Sequence, residues 1–208
     1  MRFILFVEGY TEKIAIKEFL KRWLDPRLKQ PVGITPVRFT GWAEMLNDMA
    51  QKAHRYLDSP DGDQIIAIIA LLDLYGPTIY PAQLKTASQR VNWATNNLSQ
   101  KVGLERFRIF FAVHELEAWL LSEPQIFPRE ISQRFPRKIE QPESVNFDTP
   151  PAKLLGDMYW RQYRRQYRKI VDGSNLFGKL NPSIVYQKCP FFAEMMNEML
   201  RLAQQAGL

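Results

Sequence analysis

The apolar residues of this chain come in short solid blocks separated by stretches of helical period. Arg2–Val7 has five apolar positions in six, no helical repeat and too little length for a buried helix, so it predicts a fully covered strand of the parallel type. Residues 64–72 (QIIAIIALL) are the strongest run of this kind and predict a central strand; residues 106–113 (RFRIFFAV) predict another. A strand is also expected within residues 33–40, where Pro36 argues for a sheet edge. Between these runs the period changes. Ile16, Phe19, Leu20 and Trp23 mark one helix, capped by Thr11, and Trp42, Met45, Leu46, Met49, Ala53 and Tyr56 mark a second. A third is expected from about Pro81 to Leu98, and a short one over residues 116–121. Strand–helix units in this order imply an α/β fold with a mostly parallel sheet.

The texture changes after Ser122. Residues 123–151 contain six prolines and no clear period, which reads as a long irregular connection. Pro151 suits the first turn of a helix reaching to about Lys169, and the tail to Ala206 reads as helical, broken at Asn181-Pro182 and Cys189-Pro190. The expected organisation is a core over residues 1–122 and a helical extension over residues 123–208 packed on it, one domain overall.

Composition narrows the setting. The 208 residues carry a net charge of +6. Residues 1–122 hold 15 Lys and Arg against 13 Asp and Glu, and residues 123–208 hold 13 against 9, so the extension is the more basic part. This balance suits a polyanionic partner without requiring one. A single cysteine, Cys189, excludes an intrachain disulfide and a cysteine-based zinc site, and a reducing cytoplasm is the simplest compartment. The N-terminal apolar run meets Glu8 too soon to read as a signal peptide, and no apolar run approaches the length of a membrane span.

Three predicted strands end in acids: Glu8, Asp73 and Glu115. In a parallel sheet these ends share one edge, where ligands collect. Carboxylates gathered there repel unless a proton or cation joins them, and hard divalent ions prefer such oxygen ligands. Each acid also has an ordinary reading. Glu8 can bond turn amides, Asp73 can cap a helix, and Glu115 can favour a helix N-terminus. Glu12, His114 and Glu117 are supporting candidates: a helix-dipole charge or outer metal group, a buried histidine or proton carrier, and an acid that a helix would point away from Glu115. In YWRQYRRQYRK, Tyr159, Tyr163 and Tyr167 recur every four residues, with Arg161, Arg165 and Arg168 on another stripe. That is either a phosphate-tracking helix with stacking surfaces or a helix packing its tyrosines inward.

Taken together, Glu8-Gly9-Tyr10-Thr11-Glu12, Asp73-Leu74-Tyr75-Gly76 and His114-Glu115-Leu116-Glu117-Ala118-Trp119-Leu120 resemble a bacterial family of Toprim-like proteins catalogued as a domain of unknown function. Pro151-Ala152-Lys153, Tyr167-Arg168-Lys169 and Lys188-Cys189-Pro190-x-Phe192 extend the resemblance over nearly the whole chain. It implies a Toprim-like α/β/α sandwich, related to the overcoming-lysogenization-defect nucleases. In such folds a first-strand Glu and a D-x-D after a later strand hold Mg²⁺. Glu8 and the first Asp, Asp73, match; Tyr75 stands at the second Asp. The resemblance also makes Lys153 and Lys169 phosphate-binding candidates, and it implies a phage-defence setting with an ATPase partner. The expected activity is then Mg²⁺- or Mn²⁺-dependent phosphoryl transfer on nucleic acid, with one or two ions held by Glu8, Asp73 and Glu115 and the backbone steered by Lys153, Arg161, Arg165, Arg168 and Lys169. The alternative is a non-catalytic module that binds nucleotide, nucleic acid or an ATPase partner through a degenerate site.

Overall fold

A computed structural model describes residues 1–10, 12–135, 139–144 and 150–208, Glu12 by its backbone alone. Four parallel strands, β1 (Arg2–Val7), β2 (Gly33–Arg38), β3 (Ile65–Asp73) and β4 (Phe107–Ala112), lie in the order β2-β1-β3-β4. The central pair is apolar almost without a break because helices cover both faces. Phe3, Leu5, Val7, Ala67, Ile69 and Leu71 enter one apolar layer, while Ile4, Phe6, Ile68, Ala70 and Leu72 enter the other. Pro36 lies in the edge strand β2, where a missing ladder N–H is tolerated.

The second layer is closed by α2 (Trp42–Leu57) and α3 (Ala87–Val102). The first is closed by α1 (Lys17–Leu24), which follows a π-helical turn at Glu12–Ile16, and by the short helix α4 (Glu117–Leu120). The chain then passes through α5 (Arg129–Ser132) and reaches α6 (Pro151–Tyr163), α7 (Ser174–Lys179), α8 (Pro182–Lys188) and α9 (Pro190–Gln205). These last helices share the first layer with the sheet. Phe192 sits 4.7 Å from Trp119 and 5.6 Å from Phe19, ring to ring. The result is the expected α/β/α sandwich, with an entirely parallel sheet. No helix among the described residues is long and apolar enough to cross a membrane.

Three elements differ from expectation. α3 starts at Ala87, not near Pro81, because Thr86 and Gln89 form a reciprocal capping box there. α6 stops at Tyr163, where Arg164 adopts a left-handed φ of 55°, and a separate π-helical turn, Lys169–Gly173, follows. The helix at 116–121 shortens to α4, which leaves Leu116 and Leu121 as its flanking residues. The expected cap at Thr11 lies outside the described residues.

The Lys188-Cys189-Pro190-x-Phe192 motif works in packing. Lys188 Nζ donates to the Ser122 carbonyl at 2.7 Å, the Cys189 Sγ lies 3.3 Å from Ser122 Oγ, Pro190 starts α9, and Phe192 is buried. The first turn of α9 is closed by Glu143, whose carboxylate accepts the N–H groups of Phe191 and Phe192 at 3.0 and 3.3 Å. Glu143 is 6% exposed, and burial raises its carboxyl from the ordinary 4.5 to about 7, against the pull of those N–H groups. The native state therefore keeps a proton that the unfolded chain releases, so this group's contribution falls as pH rises through that window. From about pH 5 to about pH 8, the stability difference between Glu143→Gln and the parent should move in the variant's favour by up to about 3 kcal/mol. Urea denaturation at the two pH values measures it.

Candidate functional site

From β1 the chain passes to β2 on one side; from β3 it passes to β4 on the other. The carboxyl ends of β1 and β3 thus form the crevice where strand order reverses, the preferred ligand position in open parallel sheets. Glu8 leaves β1 there, and Asp73 ends β3. The Glu8 carbonyl accepts the Gly41 N–H at 3.1 Å, and its Oε1 accepts the Asp73 N–H at 2.9 Å. Asp73 Oδ1 in turn accepts the Leu116 N–H at 3.2 Å, which draws in the exit of β4. The Tyr75 N–H donates to the His114 carbonyl at 2.9 Å and ties the same two exits again.

On the far side of this edge stands Lys169. Its Nζ lies 3.4 Å from Glu115 Oε1 and 3.4 Å from Glu117 Oε2. Glu117 is 3% exposed, and Glu115 Oε2 also accepts the Ala152 N–H, in the first turn of α6, at 2.9 Å. Burial alone lowers the Lys169 ammonium, but Glu117, Asp73 and Glu115 more than offset it and hold its pKa above the ordinary lysine value. The two acids were expected to diverge as members of one helix. They converge because Glu115 precedes α4.

His114 is buried and carries a φ of 67°, a left-handed conformation that costs a non-glycine residue about 1–3 kcal/mol. Burial holds its pKa below the usual histidine value, partly countered by Glu115, so it is neutral near pH 7. Tyr80, in the segment between β3 and α3, was not singled out from sequence. Burial pushes its phenol up, the charge of Arg90 opposes this, and the charges of Glu8 and Asp73 add to the rise. The expectation of a helix from about Pro81 hid it, since the strand-to-helix connection is longer than the periodicity suggested. Lys169 as counter-ion to Glu115 and Glu117 was missed as well. The available signal was Glu117 itself, an acid within an otherwise apolar run that demanded a cation.

The structure brings Glu8 and Asp73 together and gathers Glu115, Glu117 and Lys169 next to them. It does not assemble Glu8, Asp73 and Glu115 into one cluster: among the described residues no three Asp, Glu, His or Cys side chains are grouped to hold a metal ion. Lys169 is the cation that the structure sets beside Glu115. The Glu8–Asp73 pair alone fits a hard divalent ion, since Mg²⁺ takes one or two carboxylates and fills its shell with water and phosphate. The hydrogen bonds from Asp73 and Leu116 orient the pair. The side chain of Glu12 lies outside the described residues.

The phosphate-binding candidates scatter. Lys153 is exposed on the first turn of α6, and Arg161 is exposed near its end. Arg165 and Arg168 are not on that helix. Arg165 clasps Asp172 with two bonds of 2.7 and 3.0 Å, and the Arg168 N–H reaches Asp172 at 2.8 Å. Tyr159 and Tyr167 are buried with rings 5.5 Å apart. The inward-packing reading of this stretch therefore describes Tyr159 and Tyr167 but not Tyr163, which is exposed, and the stripe of arginines ends with the helix at Tyr163.

An α/β/α sandwich with an acid pair at its strand-order reversal defines the class. The family model described as a domain of unknown function, DUF4276, matches residues 7–200, and the chain belongs to that family. Among curated proteins none matches it. Solved structures similar to it include the C-terminal region of the Burkholderia pseudomallei OLD protein, with 18% identity, a TM-score of 0.48, and 99% of this chain and 98% of that one covered. The C-terminal region of the Xanthomonas campestris pv. campestris OLD protein is similar at 19% identity and a TM-score of 0.43, over 99% of this chain and 93% of that one.

Lys169 offers a direct test of this edge. Lys169→Met leaves Glu115 and the buried Glu117 without their shared cation and should cost about 1–3 kcal/mol, below the range for a fully buried pair because the lysine side chain is 43% exposed. The raised lysine pKa means the parent's gain is complete at neutral pH and is lost only as pH climbs through the alkaline lysine range. Chemical denaturation of parent and variant at neutral pH measures the difference.

Proposed function

We propose that this protein is a divalent-metal-dependent phosphoryl-transfer enzyme acting on nucleic acid, nuclease-like in its chemistry. The observation that carries the reading is the Glu8–Asp73 pair at the β1/β3 switch point, with Lys169 facing the same edge. Glu8 and Asp73 would hold Mg²⁺ or Mn²⁺. When bound, such an ion stabilises charge on a phosphate and lowers the pKa of water. The chain's own residues orient and bind. Backbone N–H groups fix the two carboxylates, Lys169 presents a positive charge beside them, and exposed Lys153 and Arg161 extend that charge for the strand backbone. A phage-defence role with an ATPase partner belongs to this reading through the family resemblance described above.

A second reading has its own support. The Lys169 ion pairs close off Glu115, and Tyr75 stands where a second aspartate is expected. Both suit a binding module whose acid edge no longer works as a catalyst.

Cleavage assays separate the two. The parent should cut nucleic acid with Mg²⁺ or Mn²⁺ and stop on chelation. Glu8→Gln and Asp73→Asn each keep an acceptor for the N–H they now bond, so they should fold and yet lose at least about 100-fold in rate. Activity that survives both substitutions would falsify the assigned site. Binding should also weaken steeply with salt, as counterion release requires. A protein that binds no DNA or RNA at low salt is not a nucleic-acid enzyme.

A further inference from the structure

We infer that the acid edge carries a base-stacking platform built from Tyr10, Arg38 and Tyr75, and that its substrate is single-stranded nucleic acid. This deepens the phosphoryl-transfer reading and rests on it for the identity of the polymer. The starting point is a repeat in the sequence. Each acid of the switch-point pair is followed two residues later by a tyrosine, in Glu8-Gly9-Tyr10 and Asp73-Leu74-Tyr75. Both tyrosines are open, Tyr10 at 51% exposure and Tyr75 at 42%. Tyr159 and Tyr167 are buried by contrast, while Trp160 and Tyr163 on α6 are open as well. Two open aromatic rings beside a polar site forgo that burial and present flat apolar faces to solvent.

Local structure holds both rings out. Leu74 is fully buried and anchors the exit of β3, so the next residue turns away from the core. The Tyr75 N–H is tied to His114, Gly76 then takes a φ of 117°, and Trp42 flanks that turn. On the other side, Arg38 ends β2 level with Val7 and sets its guanidinium 4.4 Å from the centroid of the Tyr10 ring. Arg38 is exposed and makes no ion pair among the described residues. It both braces the ring and leaves a positive charge beside it.

The order along the edge is then Arg38 and Tyr10, the Glu8–Asp73 pair, Tyr75, and Lys169 with its two acids. A strand laid across it meets a stacking face on each side of the carboxylates and, at the β2 end, the guanidinium of Arg38, unpaired among the described residues. Aromatic faces plus positive charge are the means by which proteins hold unpaired strands, because every base has a face to stack. In a duplex those faces are occupied by neighbouring bases, so the platform has no use for one.

Fluorescence anisotropy in chelator, where nothing is cut, tests this without catalysis. The probes are oligo(dT), oligo(U), an abasic deoxyribose-phosphate strand of equal length, and duplex DNA. The parent should bind oligo(dT) or oligo(U) more tightly than the abasic strand or the duplex, and the first two arms tell DNA from RNA. Tyr10→Leu and Tyr75→Leu should each weaken binding to the strand with bases by roughly 5- to 100-fold, the range for losing one stacked base, and leave abasic binding unchanged. Tyr10→Phe and Tyr75→Phe should restore it, since the ring and not the hydroxyl does the stacking. Equal parent affinity for based and abasic strands overturns the platform, as do leucine variants that bind as the parent does, which is also the result if the patch docks a protein. A parent that binds in this tyrosine-dependent way yet never cuts with Mg²⁺ or Mn²⁺ keeps the platform and removes the catalytic reading. Metal-dependent cutting with no base dependence does the reverse.

Discussion

Glu8 stitches the exit of β1 to both of its neighbours at once. Its backbone carbonyl takes the Gly41 N–H on the β2 side, and its carboxylate takes the Asp73 N–H on the β3 side. A charge-assisted bond of that kind contributes about 1.5–3 kcal/mol and, more to the point, sets where the second acid begins. The Asp73 carboxylate then receives the Leu116 N–H and draws in β4. One side chain thereby begins a chain of contacts that aligns three strand exits at a single edge. The buried strands beneath resist slippage, because a one-residue shift would move each apolar side chain of β1 or β3 into the opposite layer, whose packing it does not fit.

Negative charge gathered this way must be balanced. The C-terminal extension does so, for its basic and aromatic stretch delivers Lys169 between Glu115 and Glu117. The same stretch locks itself in place: Arg165 and Arg168 hold Asp172, and Tyr159 packs on Tyr167. The Ala152 N–H, at the start of α6, takes the remaining oxygen of Glu115. So the extension does more than cover a sheet face. It supplies a counter-charge to the buried Glu117.

The strands were legible because their apolar blocks are solid, and the edge position of β2 was legible from Pro36. The meeting of Glu8 and Asp73 was legible from strand polarity alone. What escaped was anything decided by contacts between distant segments. The spacing of Tyr159, Tyr163 and Tyr167 suggested one continuous helix, but the turn at Arg164 lets Tyr167 fold back onto Tyr159 instead. Glu115 and Glu117 seemed to diverge because residues two apart point differently in a helix, but only Glu117 is helical and Glu115 lies before α4. Lys169 was picked out by motif resemblance, yet its partners lie 54 and 52 residues earlier in the chain, and no local pattern reaches that distance.

Under the proposed phosphoryl-transfer reading, the balance at this edge bears on catalysis as well as on stability. A lysine amine and a divalent ion can both neutralise carboxylates, but the amine cannot gather phosphate oxygens and water around itself as Mg²⁺ does. Lys169 pairs with Glu115 and Glu117, backbone hydrogen bonds orient Glu8 and Asp73, and no aspartate stands at position 75. An ion there would lean more heavily on the phosphate for its ligands. That makes substrate and metal binding mutually dependent, and it gives residues that grip the substrate independently of the metal a larger share of the work. Tyr75, standing where an acid is otherwise expected, is placed to take up part of that share.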